Sequence, residues 1–141
     1  MHKPGLIKPS QAFGVVVPFV EELGIMVESM ERGRAVSVLD VTPGQCNSWG
    51  APHGGVVMAL LDFTMSLAGA TTQAPGHGAM TVEMKTNFIA AGKGRLTCEG
   101  KVAKAGRSLI FCSGEVHDEG GNLCAQALGT FKMHLRKTAA R

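Results

Sequence analysis

Residues 53–72 read HGGVVMALLDFTMSLAGATT, and the arrangement of the whole chain follows from this segment. It is apolar on nearly every side, the pattern of a helix that is buried all round rather than along one stripe. His53, Gly54 and Gly55 open it, and Gly76 and Gly78 break the chain after it. The nearly uncharged run from Trp49 to Met84 includes Pro52, Asp62, Pro75, Glu83 and several glycines, so it does not read as a membrane span. An apolar helix outside a membrane must be covered by the rest of the chain.

The flanking sequence supplies that cover. Downstream, four stretches of alternating character, at about 79–91, 94–103, 107–118 and 122–135, are separated by Ala91-Gly92, Ala105-Gly106 and Glu119-Gly120-Gly121. Upstream, residues 24–31 and 34–41 read as a hairpin around Glu31-Arg32-Gly33, and 42–52, TPGQCNSWGAP, as loop. Phe13, Val16, Val17 and Val20 recur at helical spacing, so a short helix is expected over 10–22 despite Pro18. Residues 1–9 and the closing LRKTAAR read as mobile ends. Consecutive strands without intervening helices make an antiparallel sheet, and one long buried helix beside it implies a sheet curled around that helix, an α+β fold. At 141 residues the chain fits one domain, 1–141, with its core at about 24–135.

Composition narrows the partners. The net charge is +3, only 5% of residues are aromatic, and there is no Tyr, which disfavours a base-stacking surface and nucleic acid as partner. A mildly basic surface suits a small phosphorylated anion. Cys46, Cys98, Cys112 and Cys124 are widely spaced and read as small buried hydrophobes. With no leader of export type, they point to a reducing cytoplasm. His2, His77, His117 and His134 show no paired metal-ligand spacing, so no metal is expected.

Asp62 is the anomaly of the helix, because a carboxylate buried without partners costs several kcal/mol. Two readings are open: a core polar group satisfied by its neighbours, or a reacting carboxylate. Ser66, four residues on, shares its helical face and can hydrogen-bond either Asp62 or a bound molecule. Gly54 and Gly55 leave the first backbone N–H groups of the helix unobstructed, which suits negative charge or, equally, close backbone packing. Asn47 offers an amide NH₂ that can reinforce such an anion site, or serves as a turn residue. Gly54 and Asp62 are eight residues apart, roughly 12 Å along one helix. Both can act on one carbonyl only if helices of two subunits run antiparallel across a twofold axis.

Asn47, His53-Gly54-Gly55 and Leu61-Asp62, at these spacings, resemble the hotdog-fold acyl-CoA thioesterases. The resemblance is to the phenylacetate-degradation type within the 4-hydroxybenzoyl-CoA thioesterase superfamily, and it spans about 45–135. It implies a helix wrapped by a curved antiparallel sheet, a homodimer required for the site and commonly a homotetramer, and hydrolysis of a small aromatic or medium-chain acyl-CoA. It assigns Asp62 as nucleophile or general base, Gly54 as oxyanion donor, and Asn47, His53 and Ser66 as further catalytic groups, His53 chiefly as helix cap. Substrate contacts follow at Gly55, Thr81, Phe88 and the turn Lys104, Gly106, Arg107 and Ser108, whose cations and hydroxyl suit coenzyme A phosphates. Coenzyme A enters only as part of the substrate, with no cofactor. Two other readings are a non-catalytic acyl-CoA-binding hotdog protein and a hotdog dehydratase.

Overall fold

The computed structural model describes residues 5–137. Two short helices, α1 (Pro9–Phe13) and α2 (Pro18–Leu23), precede a hairpin of β1 (Met26–Glu31) and β2 (Arg34–Leu39). A 3-10 turn at Pro43–Gln45 leads to the long helix α3 (Gly54–Ala70). Then come β3 (His77–Phe88), β4 (Leu96–Ala105), β5 (Leu109–His117) and β6 (Leu123–Leu135).

Two sequence expectations are corrected here. The single helix expected over 10–22 is two, because Gly14 turns left-handed at φ 78° and ends α1, while Pro18 occupies the first turn of α2. Proline lacks the N–H that a helix interior needs, but the first turn does not use it. The ends are also more tied down than expected. Ile7 exchanges backbone hydrogen bonds with Val27 at 3.0 and 2.9 Å, and the Arg136 N–H donates to the Gly76 carbonyl at 2.8 Å. Residues 1–4 and 138–141 of the expected mobile ends lie outside the described residues.

The six strands form one antiparallel sheet in the order β1-β2-β4-β5-β6-β3. β3 therefore leaves the neighbourhood of β4 and pairs with β6 at one edge. All six strands touch α3, so the sheet curves around the helix as the α+β reading requires. The Ile7 bridge lies on β1, at the opposite edge from β3.

How near the helix can sit is set by small residues. The register aligns Ala35, Gly100, Gly114, Ala127 and Thr86 in one row across β2, β4, β5, β6 and β3. A methyl group on Gly100 would stand 2.8 Å from the Thr64 carbonyl oxygen, and one on Gly114 would stand 3.0 Å from a Leu61 methyl. Leu60, Leu61, Met65, Leu67 and Ala68 fill the space around this row, each at most 1% exposed. The helix is not covered all round, however. Gly55, Met58, Ala59 and Asp62 follow one another at helical spacing and remain partly or fully open, so one stripe of α3 faces outward.

β3 departs from strict alternation. Ala79 and Thr81 face α3, and so do Met84 and Phe88, although Thr81 and Met84 are three residues apart. The pairing steps from Thr81 opposite Phe131 to Glu83 opposite Thr130, which leaves Val82 as the extra residue of a β-bulge.

Because backbone cannot yield as a side-chain tip can, Gly100→Ala is expected to lower unfolding free energy by about 1–3 kcal/mol. Urea denaturation checks this, and Gly121→Ala is unsuitable as a comparison because Gly121 has φ 81°. Gly44→Ala, where a methyl meets nothing within 4 Å, should cost far less.

Candidate active site

α3 begins where the loop before it is locked. The Asn47 N–H donates to the Ala51 carbonyl at 2.7 Å, and the His53 N–H to the Gln45 carbonyl at 2.8 Å. The Asn47 side-chain oxygen accepts from the N–H groups of Trp49 (2.9 Å) and Ala51 (3.1 Å). Both partners are donors, which fixes the amide orientation and leaves the Asn47 NH₂ without a partner among the described residues.

His53 caps the helix. Its Nδ1 accepts from the Gly55 N–H at 2.9 Å, so in the neutral ring the proton sits on Nε2. The Gly55 N–H is thereby occupied. The Gly54 N–H has no acceptor among the described residues, and it is the donor that the positive end of the helix dipole leaves available. Phe88 lies against it: a methyl on Gly54 would be 3.3 Å from the Phe88 ring. Asn47, Gly54 and Phe88 share the wall of a cavity of about 390 Å³.

Asp62 lies two turns further along α3, on the open stripe. The Thr81 hydroxyl donates to its Oδ1 at 2.5 Å. Burial pushes the Asp62 carboxyl above the usual aspartate range, and the Thr81 hydrogen bond acts against that rise. Oδ2 has no partner among the described residues. Ser66 is buried on the same helical face, yet the hydrogen bond to Asp62 comes from Thr81, not from Ser66.

The predicted residues thus fall into three groups. Asp62 and Thr81 meet at mid-helix. Asn47, Gly54 and Phe88 meet at the start of α3. Lys104, Gly106, Arg107 and Ser108 form the β4–β5 turn at the other end, where Gly69 of α3 packs beside Ile110. Gly106 is required there, since a methyl would be 2.7 Å from the Leu109 carbonyl oxygen. Sequence reasoning missed other parts of the cavity wall, among them Gly92, Leu96 and Cys124, because β3 does not pair with β4 and the segment between them lines this cavity instead of forming a tight turn. A second groove of about 360 Å³ on the outer sheet face, lined by Lys85, Glu99, Lys101 and Glu115, contains none of these groups.

The sequence model of the thioesterase superfamily matches residues 50–125, from the loop before α3 to the start of β6. A Saccharolobus solfataricus protein that carries the name of an esterase is 33% identical over 120 residues, covering 84% of this chain and 85% of its own. The chain belongs to the thioesterase superfamily. It is a thioester hydrolase of the hotdog type. The 1,4-dihydroxy-2-naphthoyl-CoA hydrolase of Listeria monocytogenes is 29% identical over 100 residues, covering 70% of this chain and 81% of that protein. The phenylacetic acid degradation protein PaaI of Escherichia coli shares the fold, with a TM-score of 0.81 at 23% identity over 89% of this chain and 91% of that one.

In this thioesterase, the raised Asp62 carboxyl is also a statement about stability. The folded chain holds the Asp62 proton to a higher pH than the unfolded chain does, so stability falls as pH rises through that window, and the penalty is complete above it. Asp62→Asn keeps an oxygen for Thr81 and carries no charge. It is expected to raise the melting temperature at pH 7.5, and the gain should vanish once the pH is below the ordinary aspartate value. Melting curves across pH check it. A gain that persists in acid would mean that the carboxylate charge is not the cause.

Proposed function

We propose that the protein hydrolyses acyl-CoA thioesters at a site shared by two copies of the chain, with Asp62 of one facing Gly54 of the other. The observation that carries this reading is Asp62 itself: a carboxylate whose charge burial opposes, held on one oxygen by Thr81, with no partner on the other oxygen among the described residues, on the open stripe of α3.

From Oδ2, Asp62 either attacks the thioester carbon, giving a mixed anhydride and coenzyme A thiolate, or takes a proton from an attacking water. Both routes put negative charge on the carbonyl oxygen. The unoccupied Gly54 N–H and Asn47 NH₂ are suited to receive it. Within one chain the helix separates these donors from Asp62 by roughly 12 Å, so a second α3 running antiparallel must supply them.

Two features support that pairing. The stripe of Gly55, Met58, Ala59 and Asp62 is partly open along an otherwise apolar helix. The edge strand β3 also exposes Met80 and Val82, at 61% and 57%. Edge-to-edge pairing of β3 with its copy near Met84 and Lys85 would set Thr81 opposite the partner's Phe88, which brings the two half-sites together. In the same arrangement the Lys104–Ser108 turn of the Asp62-bearing subunit lies toward the end where the partner's α3 begins, within reach of the phosphates of a substrate in that site. The coenzyme A ester in the name of the Listeria relative agrees with this substrate class.

Asp62→Ala and Gly54→Pro should each lose at least about 10²-fold in turnover. Proline at the first helical position removes the N–H while suiting the helix start. Refolded together, the two variants should regain about a quarter of wild-type activity, since half of the dimers are mixed and each of these has one intact site. No recovery on mixing would place the site within one chain, and full turnover in a folded Asp62→Ala protein would remove Asp62 from the reaction.

Replacing Lys104 and Arg107 by Ala should raise KM for an acyl-CoA by roughly tenfold. KM for the matching N-acetylcysteamine thioester, which lacks the nucleotide, should stay within about twofold. Steady-state kinetics with the two substrates checks it.

A further inference from the structure

The cavity at the start of α3 has a direction. Its mouth carries Asn47, Gly54 and the 56%-exposed Phe88. Its inner wall carries Val57, Leu96 and Cys124, which are 7%, 0% and 4% exposed. Between them runs the β3–β4 connection, Ile89, Ala90, Ala91 and Gly92, in which Ala90, Ala91 and Gly92 have little or no side chain to fill the passage. Gly92 packs against the floor, for a methyl there would stand 2.8 Å from Leu96 and 3.2 Å from the Cys124 sulfur.

Among the described residues no charged side chain lines this cavity, and Asn47 at its mouth is the one strongly polar side chain in the wall. A phosphorylated pantetheine arm would gain nothing from such a wall, and a carboxylate would lose its hydration without a partner. The cationic turn at Lys104 and Arg107 lies at the opposite end of α3.

We infer that this cavity takes the acyl end of the thioester, that it selects uncharged apolar acyl groups, and that Cys124 together with Leu96 sets the longest one accepted. The inference rests on the reading that Gly54 receives the carbonyl oxygen. With the carbonyl there, the acyl group runs inward past Phe88 and Val57 toward Cys124, and each methylene it buries strengthens binding by about fourfold until the floor is met. Cys124 acts through its volume alone. Burial pushes its thiol upward, away from the thiolate form, which leaves it unsuited to attack a thioester.

The test is a ratio: kcat/KM for dodecanoyl-CoA divided by kcat/KM for hexanoyl-CoA. Cys124→Met, which raises the floor, should lower this ratio at least fivefold, and Cys124→Ala, which deepens it, should raise it by a similar factor. The alanine variant adds no bulk, so it keeps the test decisive if the methionine variant misfolds. Succinyl-CoA, close in size to hexanoyl-CoA but charged at its far end, should be turned over at least about 100-fold less efficiently. A ratio that Cys124→Ala leaves unmoved, or succinyl-CoA used as well as hexanoyl-CoA, would overturn the inference. Either result would leave the catalytic reading standing, since that reading is tested separately, by turnover of Asp62→Ala and by recovery on mixing it with Gly54→Pro.

Discussion

The close approach of α3 to the sheet is the constraint on which everything else rests. Ala35, Gly100, Gly114, Ala127 and Thr86 form a shallow trough across five strands, and Gly100 admits the helix backbone itself. Larger residues along that row would lift the helix, and Thr81 could then no longer reach Asp62, nor Phe88 lie on Gly54. The site is therefore placed by packing against atoms that carry no chemistry. The 0% exposure of Leu60, Leu61 and Met65 reflects how completely the space beside the trough is filled.

Against this well-packed background, the groups of the candidate site share one property: each has been left incompletely satisfied. His53 caps Gly55 and leaves the Gly54 N–H open, Asn47 spends its oxygen on its own loop, and Thr81 occupies only one oxygen of Asp62. A fold selected for stability alone would saturate such groups, because unpaired polar atoms and half-buried charge are costly. Here they lie at the two ends of one rigid helical segment and differ in sign, with donors at its start and an acceptor two turns along. That polarity is what a reacting carbonyl needs, since it gains negative charge on oxygen as a nucleophile approaches its carbon.

Much of this was legible in the sequence, and the parts that were not have identifiable causes. The apolar run around Asp62 announced a central helix, and the Gly-rich breaks after it announced the strands. Strand order was not legible, because nothing in the segment between β3 and β4 signals that β3 leaves for the far edge and pairs with β6. The cavity wall that this detour creates, with Leu96 and Cys124 in it, was hidden for the same reason. Apolar character at every turn of α3 likewise suggested burial on all sides, whereas the structure leaves one stripe open. Hydrophobicity alone cannot tell cover by the same chain from cover by another. Thr81 was placed at the substrate by resemblance, but its hydrogen bond to Asp62 emerged only from geometry.

The bulge at Val82 bears on how related chains are compared. Val82 is the residue without an opposite number, so removing it would leave Thr81 opposite Phe131 and Glu83 opposite Thr130, in unbroken alternation. A related sequence one residue shorter at this point can present the same interior to its helix. An alignment that counts alternation along the strand without a gap would set the equivalents of Thr81 and Phe88 on opposite faces and miss that they serve the same helix. The correct correspondence carries its gap at Val82, between two positions whose interior roles are unchanged.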